Sequence, residues 1–121
     1  MGQKILIIGY GSIGKRHAKI LSKLEVVSEI RLLTKQKNVK FKTVKNFNEV
    51  KKFNPDYIII SNETYFHIKT LKKIERIFSN KKILIEKPLS HRVSNFVPKK
   101  NKVWIGYNMR FNPIVKYLRK I

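Results

Sequence analysis

Short apolar runs alternate with longer stretches of mixed polarity along the chain. KILII at residues 4–8, EIRLL at 29–33, YIII at 57–60, KILI at 82–85 and VWIGY at 103–107 are the apolar runs. Runs of this length, closed by glycine or polar residues, predict strands, and the unbroken ones predict strands buried on both faces. After the first run the spacing changes. Ile13, His17, Ile20, Leu21 and Leu24 recur every three or four residues, with Lys15, Arg16, Lys19 and Lys23 between them, which predicts an amphipathic helix from Ser12. Residues 40–44 predict a short extended piece and 46–53 a short helix stopped by Pro55. A further helix is expected over 64–78, carrying Ile68, Leu71, Ile74, Ile77 and Phe78, and a last one from Pro113. Strands alternating with helices predict an α/β fold: a Rossmann-like, doubly wound parallel sheet in a single domain with right-handed crossovers.

Composition narrows the classes. No apolar run approaches the ~20 residues needed to span a bilayer, and MGQKILIIGYG is too short for a signal-peptide core, so a cytoplasmic protein without membrane partners is expected. Cysteine is absent, which excludes disulfides, thiol nucleophiles and Cys-bound metals; no metal site is expected. The charge is unusual: 28 Lys and Arg against 7 Asp and Glu give +21. Such a balance attracts nucleic acid or phosphorylated ligands. The cations are scattered, however, and the abundance of Lys, Ile and Asn matches a coding bias that fills solvated faces with lysine, so nucleic acid is the lesser expectation.

The first strand runs directly into GYGSIG, with Gly9, Gly11 and Gly14 of the chain's five glycines, and this opens the first helix. That is the setting in which a GxGxxG run binds a dinucleotide. Gly9 permits the tight turn, Gly11 has no side chain to block a pyrophosphate, and Gly14 lets helix and strand pack closely. The amides of Ser12, Ile13 and Gly14 would face the phosphates at the positive end of the helix dipole. A domain specific for NAD would carry an acid about 20 residues on, to accept from the ribose 2′-hydroxyl. LLTKQK stands there instead, with Thr34 and Lys35 at the position and Lys37 behind, which favours NADP with NAD as the alternative; otherwise Lys35 is one more solvated lysine.

GYGSIGKRH, SNETYFH, IEKPLS and YNMRFNP, in this order, resemble the N-terminal half of the glucose-fructose oxidoreductase/inositol dehydrogenase/rhizopine catabolism (Gfo/Idh/MocA) family, from Met1 to the chain end. The resemblance implies that Lys87 of Glu-Lys-Pro hydrogen-bonds the substrate oxygen beside the hydride-transfer carbon, with Glu86 orienting or tuning it and Pro88 locking the turn. It implies cofactor contacts from Ser61 and Asn62, whereas Glu63 and Thr64 replace the usual Pro and Asn, and Thr64 also suits a helix cap. His67 matches the family's histidine and has a structural or a cofactor-facing role open to it; His17 reads as packing. Residues 108–121 resemble the start of the crossover into a second domain, where Arg110 would be a substrate-side or interdomain residue. Only twelve residues, 91–102, separate EKPLS from the last strand, so the family's helix there is expected to be short or absent.

The family's second domain, with its acid/base Asp and His, does not occur within residues 1–121. The expected function is therefore the cofactor domain of an oxidoreductase moving hydride between a nicotinamide and a sugar or nucleotide-sugar hydroxyl, incomplete for catalysis alone. A non-catalytic cofactor-binding or dimerisation module is the alternative, with homo-oligomerisation open.

Overall fold

The apolar runs become adjacent parallel strands. The computed structural model describes residues 2–107 and 112–120. Its strands β1 (Gln3–Ile8), β2 (Val27–Leu33), β3 (Lys42–Val44), β4 (Tyr57–Ile60), β5 (Lys82–Ile85) and β6 (Lys102–Ile105) lie in the order β3-β2-β1-β4-β5-β6. Every neighbouring pair is parallel. The expected doubly wound α/β sheet is thus present. Its strand order reverses between β1 and β4, which opens a crevice at their C-terminal ends.

Alternation along the central strands divides the core. Leu6, Ile8, Ile58, Ile60, Ile83 and Ile85 face α2 (Phe47–Phe53) and α3 (His67–Ile77). Ile5, Ile7, Ile30, Leu32 and Ile59 face α1 (Ser12–Leu21). Burying each such side chain contributes roughly 1.5–3 kcal/mol, which explains why both faces of these runs are apolar. α2 starts at Asn46, whose side chain accepts from the Glu49 amide at 3.0 Å, and ends at Asn54 in the left-handed conformation before Pro55. A 3-10 turn at Thr64–Phe66 precedes α3, so the helix expected from residue 64 has a tighter first turn.

α1 forms where its periodicity predicts and packs Leu21 of the expected face against the core, but the face it buries is shifted toward its small residues. Its buried residues are Gly14 and Ala18, whereas Ile13 and Ile20 are 44% and 52% exposed and Leu24 lies past the helix end. The small residues win because the helix start sits against the turn after β1. A Cβ on Gly14 would collide with the Gly9 carbonyl oxygen.

No helix links β5 to β6, as the short spacing predicts. Leu89 and Phe96 of this irregular crossover cover the α3 side of the sheet instead. Glu75 of α3 holds the segment in place. Its carboxylate accepts from the Lys99 amide at 2.8 Å, from the Lys100 amide at 2.9 Å and from the Asn101 side chain. Burial pushes the Glu75 carboxyl up, but the Lys100 amide, the Asn101 amide group, the Lys99 amide and the Lys100 charge outweigh it and hold the group below the ordinary glutamate range. A carboxyl depressed on folding stabilises above its unfolded pKa, and that contribution is lost as pH falls through the folded pKa. Glu75→Gln should therefore cost about 1–3 kcal/mol at neutral pH. In thermal melts the gap to wild type should narrow as the solution is acidified; a gap independent of pH would contradict the clasp.

α4 (Pro113–Leu118) is capped by Asn112, whose side chain accepts from the Ile114 amide at 2.9 Å, and none of its residues is buried. Arg110 lies outside the described residues. Among those described, no helix is long and apolar enough to cross a membrane.

Candidate functional site

The crevice edge carries, strand by strand, most of the residues singled out in the sequence. From β2 come Thr34 and Lys35, from β1 the glycine turn, from β4 Ser61 and Asn62, and from β5 Glu86 and Lys87. These loops follow four adjacent strands, so the strip crosses three inter-strand steps, about 14 Å.

The glycine turn is fixed by its neighbours across the switch point. Gly9 has φ +91°, and a Cβ there would lie 2.5 Å from the Asn62 nitrogen and 2.7 Å from the Ser61 carbonyl carbon. The Gly9 amide donates to the Leu33 carbonyl at 3.0 Å, and the Ser61 hydroxyl donates to the Gly9 carbonyl at 2.9 Å. Gly11 differs: its backbone is extended, and a Cβ would meet nothing within 4 Å. The protein itself therefore does not need glycine at this position. Gly11 caps α1 without a side-chain bond, and the first turn has no acidic residue. The amides of Ser12, Ile13 and Gly14 have no intrahelical acceptors by helix geometry and carry the positive end of the dipole. Open space above such amides fits a diphosphate.

At the end of β2, Thr34 is half-buried and Lys35 exposed. The Thr34 hydroxyl oxygen accepts from the Gln36 amide at 3.2 Å, and the Gln36 side chain donates to the Tyr10 carbonyl at 2.7 Å. Gln36 thus ties this loop to the glycine turn. Its role escapes sequence inspection, since a glutamine between two lysines carries no periodic or motif signal. No carboxylate belongs to the loop 34–38.

Ser61 and Asn62 face the turn largely through bonds already made within the protein. Asn62 donates to the Thr70 hydroxyl at 3.0 Å, while its Oδ1 is buried without a partner. His67 is 1% exposed; Nδ1 lies 2.9 Å from the Pro88 carbonyl oxygen and Nε2 lies 2.8 Å from that of Asn62. Both neighbours are carbonyl acceptors, so a neutral ring donates its one N–H to either Pro88 or Asn62 and lies against the other, which seats His67 between the two loops. Thr64 begins the 3-10 turn, and Glu63, its N-cap residue, makes no side-chain cap bond.

The Lys87–Pro88 peptide is cis, and Lys87 is exposed. Glu86 turns toward α1, where His17 Nε2 donates to its Oε1 at 2.6 Å. Gly106 accommodates this carboxylate: a Cβ there would lie 3.1 Å from Glu86 Oε2. His17 is therefore more than a packing residue, and its position one turn after Gly14 was the available signal. This pair and Lys87 themselves line a groove of about 640 Å³, together with Ile13, Tyr57, Leu84 and Trp104. Burial pushes the Tyr57 phenol up.

Comparison with known proteins agrees with this fold. Residues 3–98 match the model of an oxidoreductase family with an NAD-binding Rossmann fold, Gfo/Idh/MocA. No curated protein matches the chain. Among solved structures, myo-inositol 2-dehydrogenase from Lactobacillus plantarum is similar with TM-score 0.80 and 21% identity, covering 100% of this chain and 41% of its own. Scyllo-inositol dehydrogenase from Lactobacillus casei, solved with NAD(H) and scyllo-inositol, gives 0.75 and 19%, covering 99% and 40%. UDP-N-acetylglucosamine 3-dehydrogenase from Acidithiobacillus ferrooxidans gives 0.67 and 17%, covering 99% and 43%. At these identities the structures share the fold, and the chain spans about two fifths of their length. With residues 3–98 matched, the chain belongs to the Gfo/Idh/MocA oxidoreductase family through its NAD-binding Rossmann domain.

Proposed function

We propose that this chain binds a nicotinamide dinucleotide along the crevice edge as the cofactor domain of an oxidoreductase acting on a polyhydroxylated ring substrate of sugar type. The observation that carries the proposal is Gly11, a residue whose missing side chain leaves open space above the free amides of α1. The pyrophosphate would lie there, against Ser12, Ile13 and Gly14, with the adenosine ribose toward Thr34 and Lys35 and the nicotinamide toward Ser61, Asn62, Glu86 and Lys87. When bound, the cofactor supplies hydride transfer. Lys87, exposed on the turn after β5, would donate to the substrate oxygen beside the reacting carbon and hold that carbon in place. Two of the similar structures are inositol dehydrogenases and a third is a nucleotide-sugar dehydrogenase, which supports the substrate class.

NADP is the preferred cofactor in this proposal. The 2′-phosphate would meet Thr34 and Lys35 with no carboxylate in the same loop to repel it. Titration of NADPH and NADH should show tighter binding of NADPH, and Lys35→Glu should lower that preference about tenfold or more by setting a like charge against the phosphate. An unchanged preference in the variant would leave Lys35 without a role at the ribose.

A further inference from the structure

Two histidines from opposite sides of the sheet grip the residues on either side of Lys87. From α1, His17 Nε2 donates to Glu86 Oε1 at 2.6 Å. From the start of α3, His67 Nδ1 lies 2.9 Å from the carbonyl oxygen of Pro88, while its Nε2 lies 2.8 Å from the Asn62 carbonyl oxygen. The Glu86 amide also donates to the Ile60 carbonyl at 2.9 Å, and Gly106 leaves room for the Glu86 carboxylate with little to spare. Lys87 itself is exposed and makes no hydrogen bond or ion pair among the described residues. Its neighbours are thus held at three points while its own long side chain is free to meet a ligand.

We propose that His17 and His67 are positioning residues that clamp Glu86 and Pro88 from the two faces of the sheet and so fix where the Lys87 ammonium stands over the crevice, which rests on the placement of Lys87 at the nicotinamide. The physical reason for such a brace is the flexibility of lysine. A four-carbon stem spreads its charge over a wide volume, and only a fixed backbone origin narrows it. The cis Lys87–Pro88 bond lies inside the clamped turn. His67 also lies between two loops, because its ring nitrogens face the Pro88 carbonyl on one side and the Asn62 carbonyl beside the glycine turn on the other, with its N–H shared between them. Displacement of one loop would therefore be felt by the other.

The oxidised nicotinamide ring is cationic and the reduced ring is neutral, so a well-placed ammonium should make the protein bind NADPH more tightly than NADP+. The ratio of the NADP+ dissociation constant to that of NADPH reads the position of Lys87, and the dissociation constant of 2′-phospho-ADP-ribose, which lacks the nicotinamide, reads the rest of the cleft. Lys87→Met should lower the ratio by about tenfold, the size expected of one nearby like charge. His17→Phe should remove much of the same preference while changing 2′-phospho-ADP-ribose affinity less than about twofold, since it acts through Glu86; His67→Leu should also remove much of it, with a smaller loss of 2′-phospho-ADP-ribose affinity because its ring meets the Asn62 loop as well. His67→Gln, which retains a donor, should recover part of it, and neither histidine variant should add to the loss once Lys87→Met is present. If His67→Leu does not fold, His17→Phe decides, because His17 lies at the edge of the groove rather than in the core. An unchanged ratio in folded histidine variants, or an equal loss of all three ligands, would overturn the brace. An unchanged ratio in Lys87→Met would overturn the placement of Lys87 and the brace with it, whereas wild-type protein that binds none of the ligands would instead overturn the proposed function.

Discussion

Gly11→Val should abolish nicotinamide dinucleotide binding, by about 100-fold or more, while leaving the protein folded. The expectation follows from a contrast inside one short turn. A Cβ at Gly11 meets no protein atom within 4 Å beyond its chain neighbours, and the backbone there is extended, so valine is expected to enter without overlap at its β-carbon. The cost to the fold is confined to the weaker helix cap, about 1 kcal/mol. The same methyl groups would occupy the space above the amides of α1 where a diphosphate must come close. Isothermal titration alongside a thermal melt separates the two effects. Retained affinity would show that the phosphates do not lie over Gly11.

Gly9→Val, two residues earlier, should fail in the opposite way. The residue has φ +91°, and its added Cβ would sit 2.5 Å from the Asn62 nitrogen, where the nearest atoms are all backbone of residues 61–62 and no flexible side chain among them can move. Conformational strain and overlap together should cost about 4 kcal/mol or more, a large part of the stability of an ordinary domain. The melting temperature should fall by roughly 15 °C, or the protein should not accumulate in folded form. A Gly9→Val protein with near-wild-type stability would mean that the turn does not press against the loop after β4.

The strands were legible in the sequence because unbroken apolar runs have one good solution, burial on both faces of a parallel sheet. KILII and YIII became neighbours across the switch point, and the glycine turn lay where the run ended. The packing of α1 was not legible in the same way. Ile13 and Ile20 advertise a face that the fold leaves half-exposed, while Gly14 and Ala18, with Leu21 beside them, make the close contact, and small residues add little to a periodic pattern. The irregular crossover before β6 followed from simple spacing, but its anchoring by Glu75 depends on amides more than 20 residues away. Long separation also hid the link between His17 and Glu86, 69 residues apart, and that between Gln36 and Tyr10. Side-chain bonds of this kind are set by topology, so the motif pointed to Lys87 while the groups that hold its turn emerged only from the fold.

Calorimetric titration of the protein with NADPH and NADH tests the central claim most directly. Saturable binding of one equivalent, tighter for NADPH than for NADH and lost in Gly11→Val, is the predicted result; no saturable binding of either nucleotide by folded protein would contradict it.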